Sequence, residues 1–203
     1  MKKQSKSYTI IFTFIVSFIF VFVLALANEL TKEQIVKNQQ LFERKAVLNA
    51  FGIIYENDDE AFEKYEDTIK IEKYNDEILY EYEKNDEKFY GFKFTGNGLW
   101  GTITGILAVN SDVSQILGID FISHNETPGL GGRIEEEWFK DQFKNEKIIN
   151  NNIKVIVGGG EGDLDKENSE IDSITGATRT SESVQKITND TIYKIKTILG
   201  VNE

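Results

Sequence analysis

The sequence contains no cysteine and only one histidine, and these two shortages exclude several kinds of site. Without cysteine there is no disulfide, no cysteine-ligated iron–sulfur cluster and no c-type haem attachment. The lone histidine, His124, excludes a histidine-rich metal site, so we predict no metal ligand and assign no catalytic residue. If the protein carries electrons, an organic cofactor must hold them.

Positive charge is also scarce, because 23 lysines and arginines face 34 aspartates and glutamates, for a formal net charge of −11. An acidic surface argues against binding to nucleic acid, and we predict no such partner. Much of the acidic excess lies between residues 56 and 88. We interpret that segment as a solvated face of a globular domain.

The N-terminal region contains an uncharged run, residues 8–27, about as long as a helix that spans a bilayer. Lysines precede the run, and acidic and polar sequence follows it. The positive-inside rule predicts a cytoplasmic tail (1–7), a single anchor in the inner (cytoplasmic) membrane (8–27) and one extracytoplasmic domain (28–203). A cleaved signal peptide is the alternative, since Ala25-Leu26-Ala27 fits a cleavage pattern. The run exceeds the usual ~7–15 residues of a signal core, which favours an uncleaved anchor.

The rest of the chain alternates between helical and strand-like patterns. The predicted helices are Leu30–Phe51, Ala61–Ile71, Glu135–Phe143 and Ser181–Leu199, with Thr31 capping the first and Thr180 or Ser181 capping the last. The predicted strands are Ile78–Tyr82, Lys88–Phe94, Thr102–Val109, Gln115–Ile122 and Ile153–Val157. Strands between flanking helices predict an α+β fold with a mixed or antiparallel sheet.

Two glycine-rich segments are candidate sites. Gly96–Gly101 reads G-N-G-L-W-G, which matches the dinucleotide fingerprint, but a strand-like run follows where that site needs a helix. We therefore expect a turn between strands, with Leu99 and Trp100 as candidate pocket residues. The second segment, Glu126–Gly132, reads E-T-P-G-L-G-G and holds the only proline of the chain. A tight turn and a ligand pocket explain it equally well.

The third candidate site is Asp172–Thr180, which reads D-S-I-T-G-A-T-R-T and directly precedes the last predicted helix. Free N–H groups and the dipole at a helix start favour a phosphate. Gly176 allows a sharp turn there, and Ala177 leaves the approach unhindered. Local chemistry alone, however, favours plain capping of the helix by the hydroxyl residues.

These three segments together resemble the FMN-binding domain family. Residues 172–178 resemble the D-x-x-[S/T]-G-A-T flavinylation motif, and Glu126–Gly131 is similar to the second signature of the family. Gly98-Leu99-Trp100 resembles a segment typical of the NqrC branch. The family includes NqrC of the sodium-translocating NADH:quinone oxidoreductase and RnfG of the Rnf complex.

The resemblance implies that FMN is the cofactor and that a separate flavin transferase joins its phosphate to the hydroxyl of Thr178. Residues of the motif would hold the phosphate or be recognised by that enzyme, namely Ser173, Thr175, Gly176, Ala177 and Thr180. Residues of the other two segments would lie near the flavin, namely Glu126, Thr127, Leu130, Gly131, Leu99 and Trp100.

The implied function is a membrane-anchored electron carrier whose FMN relays electrons within an Nqr- or Rnf-type ion-translocating complex. Its partners would be the other membrane subunits of that complex. Two alternatives stay open from the sequence. The chain could be a free-standing exported FMN electron carrier, or a non-redox exported binding domain that has kept the fold, with Thr178 as a plain capping residue.

Overall fold

The structure is a computed structural model that describes residues 6–74, 77–158 and 162–201. The chain divides into two units, Met1–Gln40 and Leu41–Glu203. Helix α1 (Lys6–Ala50) supplies the described part of the first unit and the first ten residues of the second.

The first unit is helical throughout its described residues, and α1 is long and apolar enough to cross a membrane. The sequence predicted a second helix beginning at a Thr31 cap, and this was wrong. The hydroxyl of Thr31 instead donates to the carbonyl oxygen of Ala27 at 2.9 Å, one turn back in the same helix. No glycine or proline stands between residues 8 and 51, so nothing in the sequence interrupts the helix.

The second unit is built on a five-stranded antiparallel sheet whose strand order follows the sequence. The strands are β1 (Ile69–Tyr74), β2 (Glu77–Lys84), β3 (Glu87–Asn97), β4 (Thr102–Asn110) and β5 (Ile116–Ser123). The predicted α+β class with an antiparallel sheet is therefore confirmed. Strand β1 was missed, because we predicted a helix to Ile71.

That helix is α2 (Asp58–Thr68), which begins and ends earlier than predicted. The side chain of Asn57 caps it by accepting a hydrogen bond from the backbone N–H of Glu60 at 3.0 Å. Beyond Thr68 the chain pairs with β2, and Ile69 lies opposite Tyr82. Only Ile69 of β1 is buried, so the strand lacks the apolar alternation that would have indicated it.

The remaining elements lie after the main sheet. They are a 3₁₀ turn (Gly131–Glu135), α3 (Glu137–Asp141), a parallel pair of β6 (Lys154–Ile156) and β7 (Glu170–Asp172), and α4 (Thr178–Leu199). The predicted Glu135–Phe143 helix is thus shorter. Within α3, Phe139 is fully buried and Trp138 is partly buried. Residues 159–161, between β6 and β7 in the sequence, lie outside the described residues.

Two apolar clusters cover the two faces of the main sheet. One contains Ile103, Leu107 and Val109 of β4 and the buried face of α4. The other contains Ile106 and Ala108 of the same strand, residues 46–48, 50 and 51, and Ala61 and Tyr65 of α2. Successive side chains of a strand point to opposite faces of the sheet, so β4 contributes to both clusters. Helices therefore pack against both faces.

Candidate functional site

The turn between β3 and β4 contains the G-L-W segment. The backbone N–H of Gly98 donates to the carbonyl oxygen of Gly101 at 2.7 Å, which closes the hairpin. Strands flank this turn on both sides, so the dinucleotide fingerprint is rejected as predicted. Leu99 and Trp100 project at the tip and are 52% and 70% exposed.

The E-T-P-G-L-G-G segment forms a tight turn that leads into the 3₁₀ turn. The backbone N–H of Leu130 donates to the carbonyl oxygen of Thr127 at 3.1 Å. Pro128 and Gly129 occupy the centre of that turn, and Gly129 has φ +74, as a type II turn with proline in the second position requires. Thr127 itself is exposed, and its carbonyl oxygen also accepts from Gly132 at 3.0 Å.

A second tight turn connects β7 to α4 and places Thr178. The backbone N–H of Ala177 donates to the carbonyl oxygen of Ile174 at 2.9 Å, and Gly176 in this turn has φ +80. A Cβ atom on Gly176 would lie 3.4 Å from Cδ2 of Leu130, so the two turns are neighbours. Thr175 is exposed, and Thr178 is half-buried at the first residue of α4.

The predicted capping of α4 by Thr180 or Ser181 is wrong. Ala177 occupies the N-cap position, and no described side chain bonds there. Ser181 lies inside the first turn, where its hydroxyl accepts a hydrogen bond from the backbone N–H of Ile174 at 3.0 Å. Ser173, the first hydroxyl of the motif, is buried, and its backbone N–H donates to Ile156 at 2.9 Å.

The first turn of α4 lacks what normally stabilises a helix start. Helix α2 has an asparagine cap and three acidic residues in its first turn, whereas the first turn of α4 has no acid and contains Arg179. Among the described residues, the N–H groups of Thr178, Arg179 and Thr180 find no hydrogen-bond acceptor. An anion bound there would satisfy these donors and the helix dipole.

The carboxylate of Glu126 joins the three segments. It is 4% exposed, and its Oε1 accepts from the backbone N–H of Trp100 at 3.0 Å. Its Oε2 accepts from the hydroxyl of Thr180 at 2.6 Å. A Cβ atom on Gly98 would lie 2.4 Å from Oε1, and one on Gly131 would lie 2.7 Å from Oε2, so both glycines are needed for this approach.

His124 holds the backbone of this carboxylate. Its Nδ1 accepts from the backbone N–H of Glu126 at 3.1 Å, and its Nε2 lies 3.1 Å from Oε1 of Glu135. The lone histidine is therefore a hydrogen-bonded support beside the site.

The two arginines of this region differ in how firmly they are held. The Nε of Arg133 donates to both carboxylate oxygens of Glu136 at 3.1 Å. Hydrogen bonds from Arg133, and then from Trp138, lower the pKa of Glu136. Arg179 is 79% exposed and pairs only with Glu182 among the described residues, at 3.1 Å. The sequence patterns did not single out Arg179, although the absence of acid from this turn is visible in the sequence.

The arrangement fits FMN in two respects. The start of α4 offers three N–H donors and an arginine to a phosphate next to the Thr178 hydroxyl. Around it, three apolar side chains are exposed without a described partner that covers them, and they suit the face of a planar ring: Leu99, Trp100 and Leu130.

Comparison with known proteins shows which family the matched residues resemble. Residues 98–193 match the family model described as FMN-binding domain. The C subunit of the Na(+)-translocating NADH-quinone reductase from Vibrio anguillarum is 37% identical over 94 residues, which cover 44% of this chain and 36% of that protein. Its counterpart from Neisseria meningitidis is 37% identical over 91 residues, and the match again covers 44% of this chain and 35% of the relative. The chain thus matches about a third of the length of these relatives.

Two crystal structures share the fold. The same reductase component from Parabacteroides distasonis has a TM-score of 0.66 at 23% identity, covering 84% of this chain and 98% of that one. NqrC of Shewanella oneidensis has a TM-score of 0.66 at 16% identity, covering 82% and 100%. The family resemblance drawn from the three motifs is confirmed, and with it FMN as the cofactor of the matched domain.

Proposed function

Residues 98–193 match the FMN-binding domain family, and from this match we propose that the chain is a membrane-anchored flavoprotein subunit bearing FMN on Thr178. The observation that carries the proposal is the start of α4. There a half-buried threonine hydroxyl stands beside three N–H groups without a described acceptor, an arginine and no acid. Bound FMN would supply the transfer of one or two electrons.

The proposed attachment would involve no redox change. The Thr178 hydroxyl would form an Oγ1–P bond to a flavin nucleotide supplied as a phosphoanhydride. The anhydride P–O bond would break, the second phosphate-bearing group would leave, and the hydroxyl proton would pass to a base. No described carboxylate or histidine hydrogen-bonds to Thr178. This favours a separate flavin transferase as the source of that base.

The chain would then hold the two ends of the cofactor differently. N–H groups at the start of α4 would hold the phosphate ester, and Thr175, Gly176 and Ala177 would shape its approach. Leu99, Trp100 and Leu130 would pack against the ring, while Thr127 and Gly131 would supply backbone around it. Such contacts tune the electronics of a bound flavin.

An ion-translocating complex is the proposed setting. The relatives from Vibrio anguillarum and Neisseria meningitidis are components of a sodium-translocating reductase, which favours an Nqr-type over an Rnf-type complex. The uncharged run of α1, residues 8–27, would be the anchor in the inner membrane. Residues 1–7 would then lie in the cytoplasm, and 28–203 would face the other side with the partner subunits.

The experiment is a denaturing gel and an intact-mass measurement on the full chain, matured with a flavin transferase. The wild-type band should fluoresce and should be heavier by FMN less one water. Thr178→Ala should lose both signals. The matched control is Thr197→Ala, an exposed threonine further along α4, which should keep them. An unmodified wild-type chain from the native host would overturn the proposal.

A further inference from the structure

We infer that Glu126 is a positioning residue that fixes the distance between Trp100 and the flavin-bearing turn, rather than a ligand of the flavin. This inference deepens the proposed function and rests on it. It starts from the finding that one buried carboxylate bonds to two of the three site segments and belongs to the third.

Both oxygens of Glu126 are already used by the protein. Oε1 accepts from the Trp100 backbone, Oε2 accepts from the Thr180 hydroxyl, and only 4% of the residue is exposed. A free carboxylate would repel an anionic phosphate at Thr178. The carboxylate of Glu126 receives two hydrogen bonds, which partly disperse its negative charge. Because this carboxylate is buried, the surface of the site is formed by other groups.

Each of the two hydrogen bonds to Glu126 fixes one segment of the site. Thr180 stands two residues after Thr178 in the same helical turn, so its hydroxyl anchors the turn that bears the flavin. The other bond holds the tip of the β3–β4 hairpin through the Trp100 backbone. The indole of Trp100 is 70% exposed, so the position of the tip depends on backbone contacts, and the hydrogen bond to Glu126 is one of them.

Glu126 is itself held from behind. The Glu126 backbone N–H donates to His124, whose other ring nitrogen lies 3.1 Å from Glu135. Gly98 and Gly131 leave the space that the two carboxylate oxygens occupy. Because Glu126 is itself held in place, its hydrogen bonds fix the positions of Trp100 and Thr180, as supporting residues do behind a functional group.

The test uses the full chain in detergent, matured with a flavin transferase. Glu126→Ala removes both acceptors, and Thr180→Val removes only the bond to α4. Glu126→Gln keeps the shape and one acceptor oxygen, and its amide can donate to the Thr180 hydroxyl. The matched control is Glu81→Gln, which changes a buried carboxylate paired with Lys88 at 3.0 Å in β2, away from the site.

Flavin fluorescence anisotropy and the flavin midpoint potential are the readouts that a purely structural role would not move. Glu126→Ala should lower the anisotropy and shift the potential, Thr180→Val should do so partly, and Glu126→Gln should stay near wild type. Glu81→Gln should lower the melting temperature without changing either flavin signal. If Glu126→Ala lowers only the melting temperature, Glu126 is structural and the inference is overturned.

A flavin-independent readout separates this inference from the proposed function. In a Trp138→Phe background, Trp100 is the one tryptophan of the chain. Its emission anisotropy should fall with Glu126→Ala even in protein made without flavin. A wild-type chain that never gains flavin would refute the proposed function, and an unchanged Trp100 anisotropy would refute the positioning role.

Discussion

The hydroxyl of Thr180 donates a 2.6 Å hydrogen bond to the carboxylate of Glu126, across 54 positions of sequence. The bond is buried, so a partner left alone would keep the cost of its lost hydration. It ties the first turn of α4 to the loop that begins at Glu126. The glycines around it limit which substitutions the site accepts.

Gly131→Ala should weaken the domain by breaking that bond. The new Cβ would lie 2.5 Å from the Thr180 hydroxyl and 2.7 Å from Oε2 of Glu126, so one of them must move. We expect a loss of about 1–3 kcal/mol in the free energy of unfolding, as for other overpacked sites. Gly132→Ala is the matched control, because its closest contact would be 3.2 Å. Equal melting temperatures for the two variants would contradict this account.

Arg179→Gln should act differently in protein with and without the phosphate ester. Arg179 lies at the positive end of the α4 dipole, where a cation costs about 0.3–1 kcal/mol and an anion gains a similar amount. In a Thr178→Ala background the substitution should be neutral or slightly stabilising, since the lost pair with Glu182 is exposed. On flavin-bearing protein it should lower the melting temperature.

Lys186→Gln is the control for that comparison. It removes one positive charge from the same helix, in an exposed pair with Asp190 two turns from Thr178. Its effect should be the same in both backgrounds. The electrostatic account of the α4 start fails if Arg179→Gln and Lys186→Gln behave alike.

Local patterns predicted four of the five strands of the main sheet. Strands β2 to β5 were found because their apolar residues alternate between bounded turns. Strand β1 was missed because it exposes five of its six residues, so its sequence carries no apolar period. Thr31 was misread as a cap because a capping pattern also fits the interior of a helix that nothing interrupts.

The candidate site residues were identified by motif, but their contacts were not predicted. The partners of Glu126 stand 26 and 54 positions away, and no local spacing encodes such pairs. The hydroxyls before α4 suggested a cap, whereas Ser181 turns inward to the backbone of Ile174. These contacts form only when turns that are distant in sequence come together in the folded domain. Local sequence patterns therefore do not predict them.

Trp100→Leu should increase the fluorescence of bound flavin. An indole packed against a flavin ring quenches its emission, and leucine keeps an apolar contact without that quenching. Trp138→Phe is the control, since Trp138 packs edge-on against Phe139 at 5.8 Å in the α3 region. Emission quantum yields of the two purified variants decide the point. If neither substitution changed the emission quantum yield of the flavin, or if both changed it equally, Trp100 would not lie against the flavin ring.

Glu146 gives the domain a built-in dependence on pH. The residue is fully buried, and its Oε1 accepts from the backbone N–H of Ser169 at 2.8 Å, while Oε2 has no described hydrogen-bond partner. Burial raises the pKa of Glu146 from 4.5 to about 7, against the lowering effect of the Ser169 N–H and of Lys166. Asp163 and Asp165 add to the rise in pKa. Ser169 directly precedes β7, which leads into the turn before Thr178.

The folded chain therefore binds more protons at Glu146 than the unfolded chain does between pH 4.5 and 7. Stability should fall as pH rises through this window, and the cost should be complete above it. Glu146→Gln mimics the protonated state, so it should flatten this slope and raise the free energy of unfolding at pH 8 by about 1–3 kcal/mol. Melting curves of the full chain in detergent from pH 5 to 8 measure this, with the exposed Glu87→Gln as control. A Glu146→Gln protein that keeps the wild-type slope would show that another group is responsible.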